Sequence, residues 1–160
     1  MAKTVKPPQG ASIAQNRRAR HDYDILAKFE AGIVLTGSEI KSVRDHKVQL
    51  QGSYARLKGD GDEAWLLDAH IAPYANAGYA GHNPTRERKL LLHRKELRRI
   101  HELLAEKGLT LVPLAMYFKN GRAKIELGVG RGLKNYDKRE KIAERDATRD
   151  MQRALRHNSR

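Results

Sequence analysis

The 160-residue sequence contains no cysteine. This absence excludes a disulfide framework and a zinc site built on thiolates, so the stability of the fold must come from packing. No apolar run approaches the ~20 residues of a membrane-spanning helix, and the opening MAKTVKPPQG lacks the apolar stretch of a signal peptide. We therefore expect a cytoplasmic protein with no membrane partner.

Acidic residues are scarce as well. The chain has 19 Asp and Glu against 32 Lys and Arg, which gives a formal net charge of +13. Residues 1–20 carry five bases and no acid, and residues 131–160 carry ten bases and five acids, so the excess is concentrated at the two ends. A polyanion such as nucleic acid is the partner class that this charge favours.

Length and charge together predict one domain with two extensions. We expect a flexible N-terminus over residues 1–12, a folded domain over residues 13–130, and a basic C-terminal tail over residues 131–160. No internal repeat is present.

Alternating apolar and polar residues predict that the domain is mainly β. The most clearly predicted hairpin joins residues 109–118 to 122–129 through Lys119-Asn120-Gly121. Its second strand is expected to have one solvent-exposed and one buried face. A second hairpin is predicted around the turn at residues 59–62.

Other segments complete the predicted architecture. Residues 23–29 and 33–36 form two extended pieces with a bend at Ala31-Gly32. Three short helices are predicted: one beginning at a Ser12 cap, one beginning at a Ser38 cap, and one spanning residues 93–107. About six strands and three helices without a βαβ rhythm indicate an antiparallel barrel or sandwich.

The glycine string GVGRGLK, with Gly128, Gly130 and Gly132, raises the question of a phosphate-binding loop. Such a loop needs a strand, the glycines and then a helix in a parallel α/β setting. Here the strand is an arm of an antiparallel hairpin, so we interpret the glycines as a flexible exit that aims the tail.

Candidate catalytic and metal-binding residues are few. Asp60 and Asp62 lack the spaced ladder of a calcium loop, His21 lacks further metal ligands at suitable spacing, and no nucleophile has an evident base. We therefore expect no catalytic residue, no metal site, no cofactor and no small-molecule substrate. An RNA-processing enzyme that uses Asp60, Asp62 or His21 is kept as an alternative.

The aromatic residues give a limited signal for stacking on bases. Trp65 and Phe118 lie in strand patterns and are expected in the core, whereas Tyr74 and Tyr79 lie in the glycine-rich loop of residues 74–85, which is predicted to be mobile.

The tail has the composition of a segment that folds on a partner. A helix over residues 137–156 would align Lys141, Arg145, Arg149 and Arg153, and like charges at that spacing disfavour the isolated helix. The apolar stripe opposite them is small. We predict a tail that is disordered when free and helical beside a polyanion. A solvated charged helix without a ligand is the alternative.

Five longer stretches closely resemble one family. They are NRRARHDY (16–23), FEAGIVLTGSEIKSVR (29–44), PTRERKLLLHRKEL (84–97), YFKNGRAKIELGVGRG (117–132) and YDKRE (136–140). They are similar to the SsrA-binding protein, or small protein B, family, the bacterial partners of transfer-messenger RNA. The resemblance implies an OB-like antiparallel β-barrel with flanking helices. It implies binding to the tRNA-like domain of that RNA and delivery to stalled ribosomes, where incomplete peptides are tagged.

The resemblance also implies site residues. The barrel is expected to contact the elbow of the RNA through Asn16, Arg17, Arg18, Arg20, Glu30, Leu91 and His93. The tail is expected to enter the empty mRNA channel near the decoding centre, through Gly132, Lys134, Asp137, Lys138, Arg139, Arg145, Arg149, Arg153 and Leu155.

Some points stay open. Glu30 is as compatible with a structural salt bridge to an arginine as with an RNA contact. Leu133 and Ala154 depart from the family pattern, where a lysine and a bulkier residue are usual. A general OB-fold RNA-binding translation factor is the alternative function, and nothing in the sequence indicates a dimer, so we expect a monomer.

Overall fold

The structure of the chain is a computed structural model. It describes residues 12–78 and 81–158. The predicted flexible N-terminus, apart from Ser12, and the candidate stacking residue Tyr79 lie outside the described residues.

Nine strands and four helices follow one another along the described chain. In order they are β1 (Ser12–Gln15), α1 (Arg17–Asp22), β2 (Tyr23–Ile33), α2 (Gly37–Arg44), β3 (Val48–Gln49), β4 (Tyr54–Lys58), β5 (Glu63–Leu67), β6 (His70–Ile71), β7 (Arg88–Leu91), α3 (Arg94–Leu104), β8 (Leu109–Lys119), β9 (Arg122–Gly132) and α4 (Asn135–Asn158).

Six antiparallel strands close into a barrel. Hydrogen bonds connect them in the order β8, β4, β5, β7, β2, β9 and back to β8, while β1 adds to β8 and β3 pairs with β6. Closure removes the free sheet edges that would otherwise pair with other chains. The mainly β prediction of about six strands is confirmed.

The barrel core is apolar, and α3 packs against it. Leu66, Met116, Ile125 and Leu127 are fully buried inside the barrel, and Ile100 of α3 joins the same cluster. No helix in the described part of the chain is long and apolar enough to cross a membrane.

The helices differ from their predicted starts. The first does not begin at Ser12, because residues 12–15 pair with β8 as β1 and Asn16 caps α1. Ser38 is not the cap of α2, since Thr36 holds that position and Ser38 lies inside the helix. The third helix, predicted over residues 93–107, is confirmed as α3, in which His93 is the N-cap and the helix ends at Leu104.

Strand β2 runs without the predicted bend at Ala31-Gly32. Gly32 is paired on both sides, with Leu91 of β7 and Lys124 of β9, so the backbone stays extended there. A bulge between Ile25 and Ala27 supplies the irregularity instead.

The glycines of β9 are packing residues and not a hinge. A Cβ at Gly128 would stand 2.9 Å from Leu114 Cδ1, and one at Gly130 would stand 2.8 Å from the carbonyl oxygen of Asp24. Both glycines therefore let neighbouring strands approach closely. The strand continues to Gly132, two residues past the predicted end of the domain.

A buried ion pair joins β7 to α2, and a second arginine joins the loop before β7 to the same acid. Glu39 and Arg88 are both fully buried, and Arg88 Nε donates to Glu39 Oε2 at 3.0 Å. Arg86 donates to the same carboxylate at 2.7 Å. Burial alone would raise the pKa of Glu39, but the two arginines outweigh it and hold that pKa below its ordinary value.

His82 also fixes this loop, since its ring nitrogens contact Ser38 Oγ at 2.8 Å and the Ile71 carbonyl at 3.0 Å. The second half of the loop that the sequence predicts to be mobile is thus bonded to the body of the protein.

Candidate nucleic-acid interface

Helix α1 presents arginines on the outside of the barrel. Its buried residue, Ala19, packs on Val112 and Leu114 in a small apolar cluster separate from the barrel core. Arg17 and Arg18 are exposed. The helix therefore has one face on β8 and another that is open to a partner.

Asn16 positions this helix. The side chain is 3% exposed, and its Oδ1 accepts from Ala19 N at 3.1 Å as an N-cap. Its Nδ2 donates to the carbonyls of Leu50 and Pro113 at 3.1 and 3.0 Å. With its side-chain atoms bonded inside the protein, Asn16 acts by holding α1 in place.

Arg20 connects α1 to the outer face of the barrel. Its Nη2 lies 3.2 Å from Glu126 Oε2, and Lys28 Nζ lies 3.6 Å from the other oxygen of the same carboxylate. The Glu126 side chain is nearly buried at 6% exposure, whereas Arg20 and Lys28 are more than 40% exposed. One buried acid thus holds two partly exposed cations.

Glu30 lies next to this cluster and is held by two other residues. It accepts hydrogen bonds from the Tyr117 hydroxyl and from Lys119 Nζ, the latter at 3.1 Å. Burial would raise the pKa of Glu30, but these partners outweigh it, so the pKa lies below its ordinary value. Burial, followed by the bond to Glu30, raises the pKa of Tyr117.

A groove brings three of the predicted residues together. Glu30, Leu91 and His93 line it with Lys124 and Glu96. Leu91 is 54% exposed and supplies an apolar part of the groove lining. His93 precedes α3, and its backbone N–H donates to Glu96 Oε2 at 3.0 Å. The groove offers an apolar surface, a cation and a carboxylate within one concavity.

The arginines of α1, the ion pairs of Glu126 and the groove form one surface. Glu30 on β2 and Glu126 on β9 are direct cross-strand partners, so their side chains share the outer face. We call this surface the outer-face strip, and it comprises Arg17, Arg18, Arg20, Lys28, Glu126, Glu30, Lys124, Leu91 and His93.

The start of the tail is bonded to the C-terminal end of α1. Leu133 N donates to the Asp22 carbonyl at 2.8 Å, and Lys138 Nζ lies 3.1 Å from Asp22 Oδ1. Lys141 Nζ donates to the Tyr23 carbonyl at 3.1 Å. Asp137 accepts from Lys134 N at 3.1 Å and so caps the beginning of α4.

The rest of the tail projects into solvent. Helix α4 has 24 residues, which corresponds to a length of about 36 Å. Its predicted contact residues Arg139, Arg145, Arg149, Arg153 and Leu155 are all exposed, the last at 67%. Gly132 ends β9, paired with Tyr23. That the tail is disordered in the free protein stays a prediction.

Several residues of the strip were not predicted from the sequence. Lys28, Lys124 and Glu126 were not singled out, nor were Tyr117 and Lys119, which hold Glu30. The Asn120-Gly121 turn could have predicted part of this set, because it fixes the register of the hairpin. In that register Tyr117 lies opposite Lys124 and Lys119 lies opposite Arg122, on the same face of the sheet.

Trp65 was placed incorrectly in the core. It is half-buried on β5, and Lys58 Nζ lies 4.7 Å from its ring centroid. Its indole N–H donates to Glu63 at 3.0 Å.

Within the described ranges, no three metal-ligating side chains gather into a candidate metal site.

Comparisons with known proteins agree with one another. A family model described as SmpB protein matches residues 13–157. An SsrA-binding protein of Chloroflexus aurantiacus is 62% identical over 144 residues, covering 89% of each chain. Another from Carboxydothermus hydrogenoformans is 53% identical over 144 residues, covering 90% of this chain and 95% of the relative.

A solved structure described as "tmRNA-SmpB: a journey to the center of the bacterial ribosome" is also similar. It matches with a TM-score of 0.64 and 49% identity, over 81% of this chain and 93% of the solved one.

Proposed function

The chain belongs to the SmpB protein family, and on that premise we propose that it binds transfer-messenger RNA and delivers it to stalled ribosomes for trans-translation. The observation that carries the proposal is the outer-face strip, on which exposed arginines adjoin an open groove. The RNA is the partner for which the relatives are named, and the ribosome is the setting of the similar solved structure.

The arginines of α1 bind phosphates. Arg17, Arg18 and Arg20 are long, exposed cations on one short helix, and such contacts set affinity and position without reading sequence. Asn16 contributes by fixing the helix that carries them. We propose that a folded RNA elbow is recognised here by its shape, as folded RNAs commonly are.

The groove adds the contacts that phosphates do not supply. Leu91 offers an apolar surface to a base or ribose, and His93 and Lys124 lie beside it. Glu30 remains ionised because its pKa is lowered, so it accepts a hydrogen bond from a 2′-hydroxyl or a base amine. Its salt bridge is with Lys119 and not with an arginine.

The tail acts at a distance from the barrel. Its exposed length of helix carries Arg145, Arg149 and Arg153 at four-residue spacing. We propose that this arm enters the empty mRNA channel of the small subunit near the decoding centre, where ribosomal RNA supplies the counterions that the column lacks. Gly132, Lys134, Asp137, Lys138 and Arg139 set the direction in which the arm leaves the barrel.

The protein is an adaptor in this proposal and catalyses no step. It works as a monomer, in the cytoplasm where ribosomes translate. It contributes shape and charge: the barrel binds the RNA, and the arm enters the mRNA channel only when no mRNA occupies it.

Reconstituted translation of a message without a stop codon tests this function. The full chain should support peptide tagging by transfer-messenger RNA. A chain ending at Leu133 should bind the RNA but yield no tagged peptide, because β9 and the Leu133 bond to Asp22 remain while the arm is gone. Tagging by the shortened chain would refute the role of the arm, and no tagging by the full chain would refute the function.

A further inference from the structure

Asp22 lies where the RNA-facing helix, the barrel and the tail meet. It is the last residue of α1, and its side chain is 28% exposed. Arg18 Nε approaches Oδ2 at 3.4 Å, while the His21 ring and Lys138 Nζ approach Oδ1 at 3.0 and 3.1 Å. A single carboxylate therefore contacts a residue of the outer-face strip and a residue of the tail.

The backbone near Asp22 strengthens the same connection. Its carbonyl accepts from Leu133 N at 2.8 Å, and Lys141 Nζ reaches the carbonyls of Tyr23 and Arg20 at 3.1 and 3.5 Å. Lys138 and Lys141 stand three residues apart on one face of α4, the face turned to the end of α1. Beyond Lys141 the helix is exposed, so these contacts determine where it points.

We propose that Asp22 is a positioning residue that couples RNA contact at Arg18 to the direction of the α4 arm. This inference rests on the proposed function, since it takes RNA as the ligand of Arg18 and the arm as the effector on the ribosome.

The coupling follows from competition for one carboxylate. Arg18 shares Asp22 with Lys138 in the free protein. When Arg18 binds an RNA phosphate instead, Asp22 interacts with Lys138 and His21 alone. The ion pair between Asp22 and Lys138 then becomes stronger and holds the arm more firmly. Thermodynamic reciprocity then requires that fixing the arm favours RNA contact by the same factor.

The ionisation of Asp22 is secure. A hydrogen bond from the His21 ring has the largest effect on the Asp22 carboxyl, and together with Lys138 and Arg18 it outweighs burial and lowers the pKa of Asp22 to about 2. The carboxylate is therefore charged throughout the pH range in which ribosomes work.

An isosteric change separates coupling from simple stability. Asp22→Asn keeps the size of the side chain and removes its charge. It frees Arg18 for phosphate, so affinity for transfer-messenger RNA should rise by about two- to fivefold, the factor that corresponds to loss of an exposed ion pair. Peptide tagging should nevertheless fall, because the arm is no longer aimed.

The direction of the arm can be measured in the full chain. The native sequence has no cysteine, so Glu102→Cys on α3 and Ala147→Cys on α4, both at exposed positions, allow two spin labels to be attached uniquely. The distance distribution between the labels is recorded with and without transfer-messenger RNA, in the native background, with Asp22→Asn, and with Lys138→Arg as the charge-conserving control.

The proposal predicts that RNA narrows the distribution of label-to-label distances in the native background and in the Lys138→Arg variant. In the Asp22→Asn variant the distribution should stay broad even when the protein is saturated with RNA. Equal narrowing with Asp22→Asn would overturn the coupling. Weaker RNA binding by Asp22→Asn together with lower thermal stability would show a structural role alone, which also overturns it. If the native chain does not bind the RNA, the proposed function fails, and that result is seen in the titration before any distance is compared.

Discussion

Glu30 and Glu126 lie directly opposite each other on neighbouring strands, with both carboxylates on the outer face of the barrel. Like charges at such positions repel. Each acid has its own cations, Lys119 for Glu30 and both Arg20 and Lys28 for Glu126, so the pair is stable. The two acids thus anchor the cations of the surface that we propose as the RNA contact.

Replacing the more buried of the two acids should loosen this surface. Glu126→Gln removes the charge that Arg20 and Lys28 share, and we expect a loss of about 1–3 kcal/mol in the free energy of unfolding, measured in urea. Glu102→Gln is the control, because Glu102 is 67% exposed and its ion-pair partner Arg99 is exposed as well, so its cost should stay below about 0.5 kcal/mol. Equal effects of the two changes would contradict the anchoring role of Glu126.

The buried Glu39 should matter more to stability. Glu39→Gln leaves Arg88 buried without its anion, so the free energy of unfolding should fall by about 3–5 kcal/mol near neutral pH. Glu87→Gln is the matched control, because Glu87 is 50% exposed in its ion pair with Lys58. A cost below 1 kcal/mol for Glu39→Gln would contradict the account of this pair.

The contribution of Glu39 should also depend on pH. Its folded pKa lies below the ordinary value of 4.5, so the unfolded chain takes up a proton first as the pH falls. The stability it provides is fully present above pH 4.5 and is lost as the pH falls through the lower folded pKa. The difference between the native chain and Glu39→Gln in urea melts should therefore shrink below pH 4.5. A constant difference across that range would exclude the ion pair as its source.

The arginines of α1 should control the salt dependence of RNA binding. Changing Arg17, Arg18 and Arg20 to Ala should weaken binding and reduce the slope of log affinity against log salt by up to ~0.9 per lost phosphate contact. The control changes three arginines of α3 that lie off the strip, Arg94, Arg98 and Arg99. If both triple variants lose the same slope, total charge and not the strip governs binding.

The glycines of β9 should resist substitution. Gly130→Ala places a Cβ against a backbone carbonyl 2.8 Å away, which cannot move aside as a side chain would, so we expect a loss of about 1–3 kcal/mol. Gly37→Ala is the control, because nothing lies within 4 Å of its Cβ position and the change should be neutral or slightly stabilising. A tolerated Gly130→Ala would restore the hinge interpretation.

Local signals were sufficient for much of the fold. The Asn120-Gly121 turn and the alternation around it predict the β8–β9 hairpin, and the apolar spacing in α3 predicts that helix. These elements are determined by residues close in sequence. The prediction of a helix that begins at Ser12 was wrong, because residues 12–15 pair with β8, which lies about a hundred residues away in the sequence. Local helix propensity contains no information about such a distant partner.

The site was harder to predict than the fold. Family resemblance supplied Glu30, Leu91 and His93, which the structure brings into one groove, but gave no reason for their proximity. The burial of Asn16 as the cap of α1 could not be predicted, because capping and RNA contact leave the same polar signature in sequence, and its contact with RNA stays a prediction. Glu126 alternates with apolar residues on the polar side of β9, and this pattern gave no sign that tertiary packing would bury it.

Titration of the purified full chain against three RNAs of equal length shows whether the outer-face strip recognises a folded RNA. The RNAs are transfer-messenger RNA, or its tRNA-like domain extended to matched length, an ordinary tRNA extended in the same way, and an unstructured RNA, each at two salt concentrations. Recognition of a folded elbow by the outer-face strip predicts a strong preference for the first RNA that persists at the higher salt. Equal affinity for all three, lost together as salt rises, would mean that the net charge of +13 alone accounts for binding and would contradict the account.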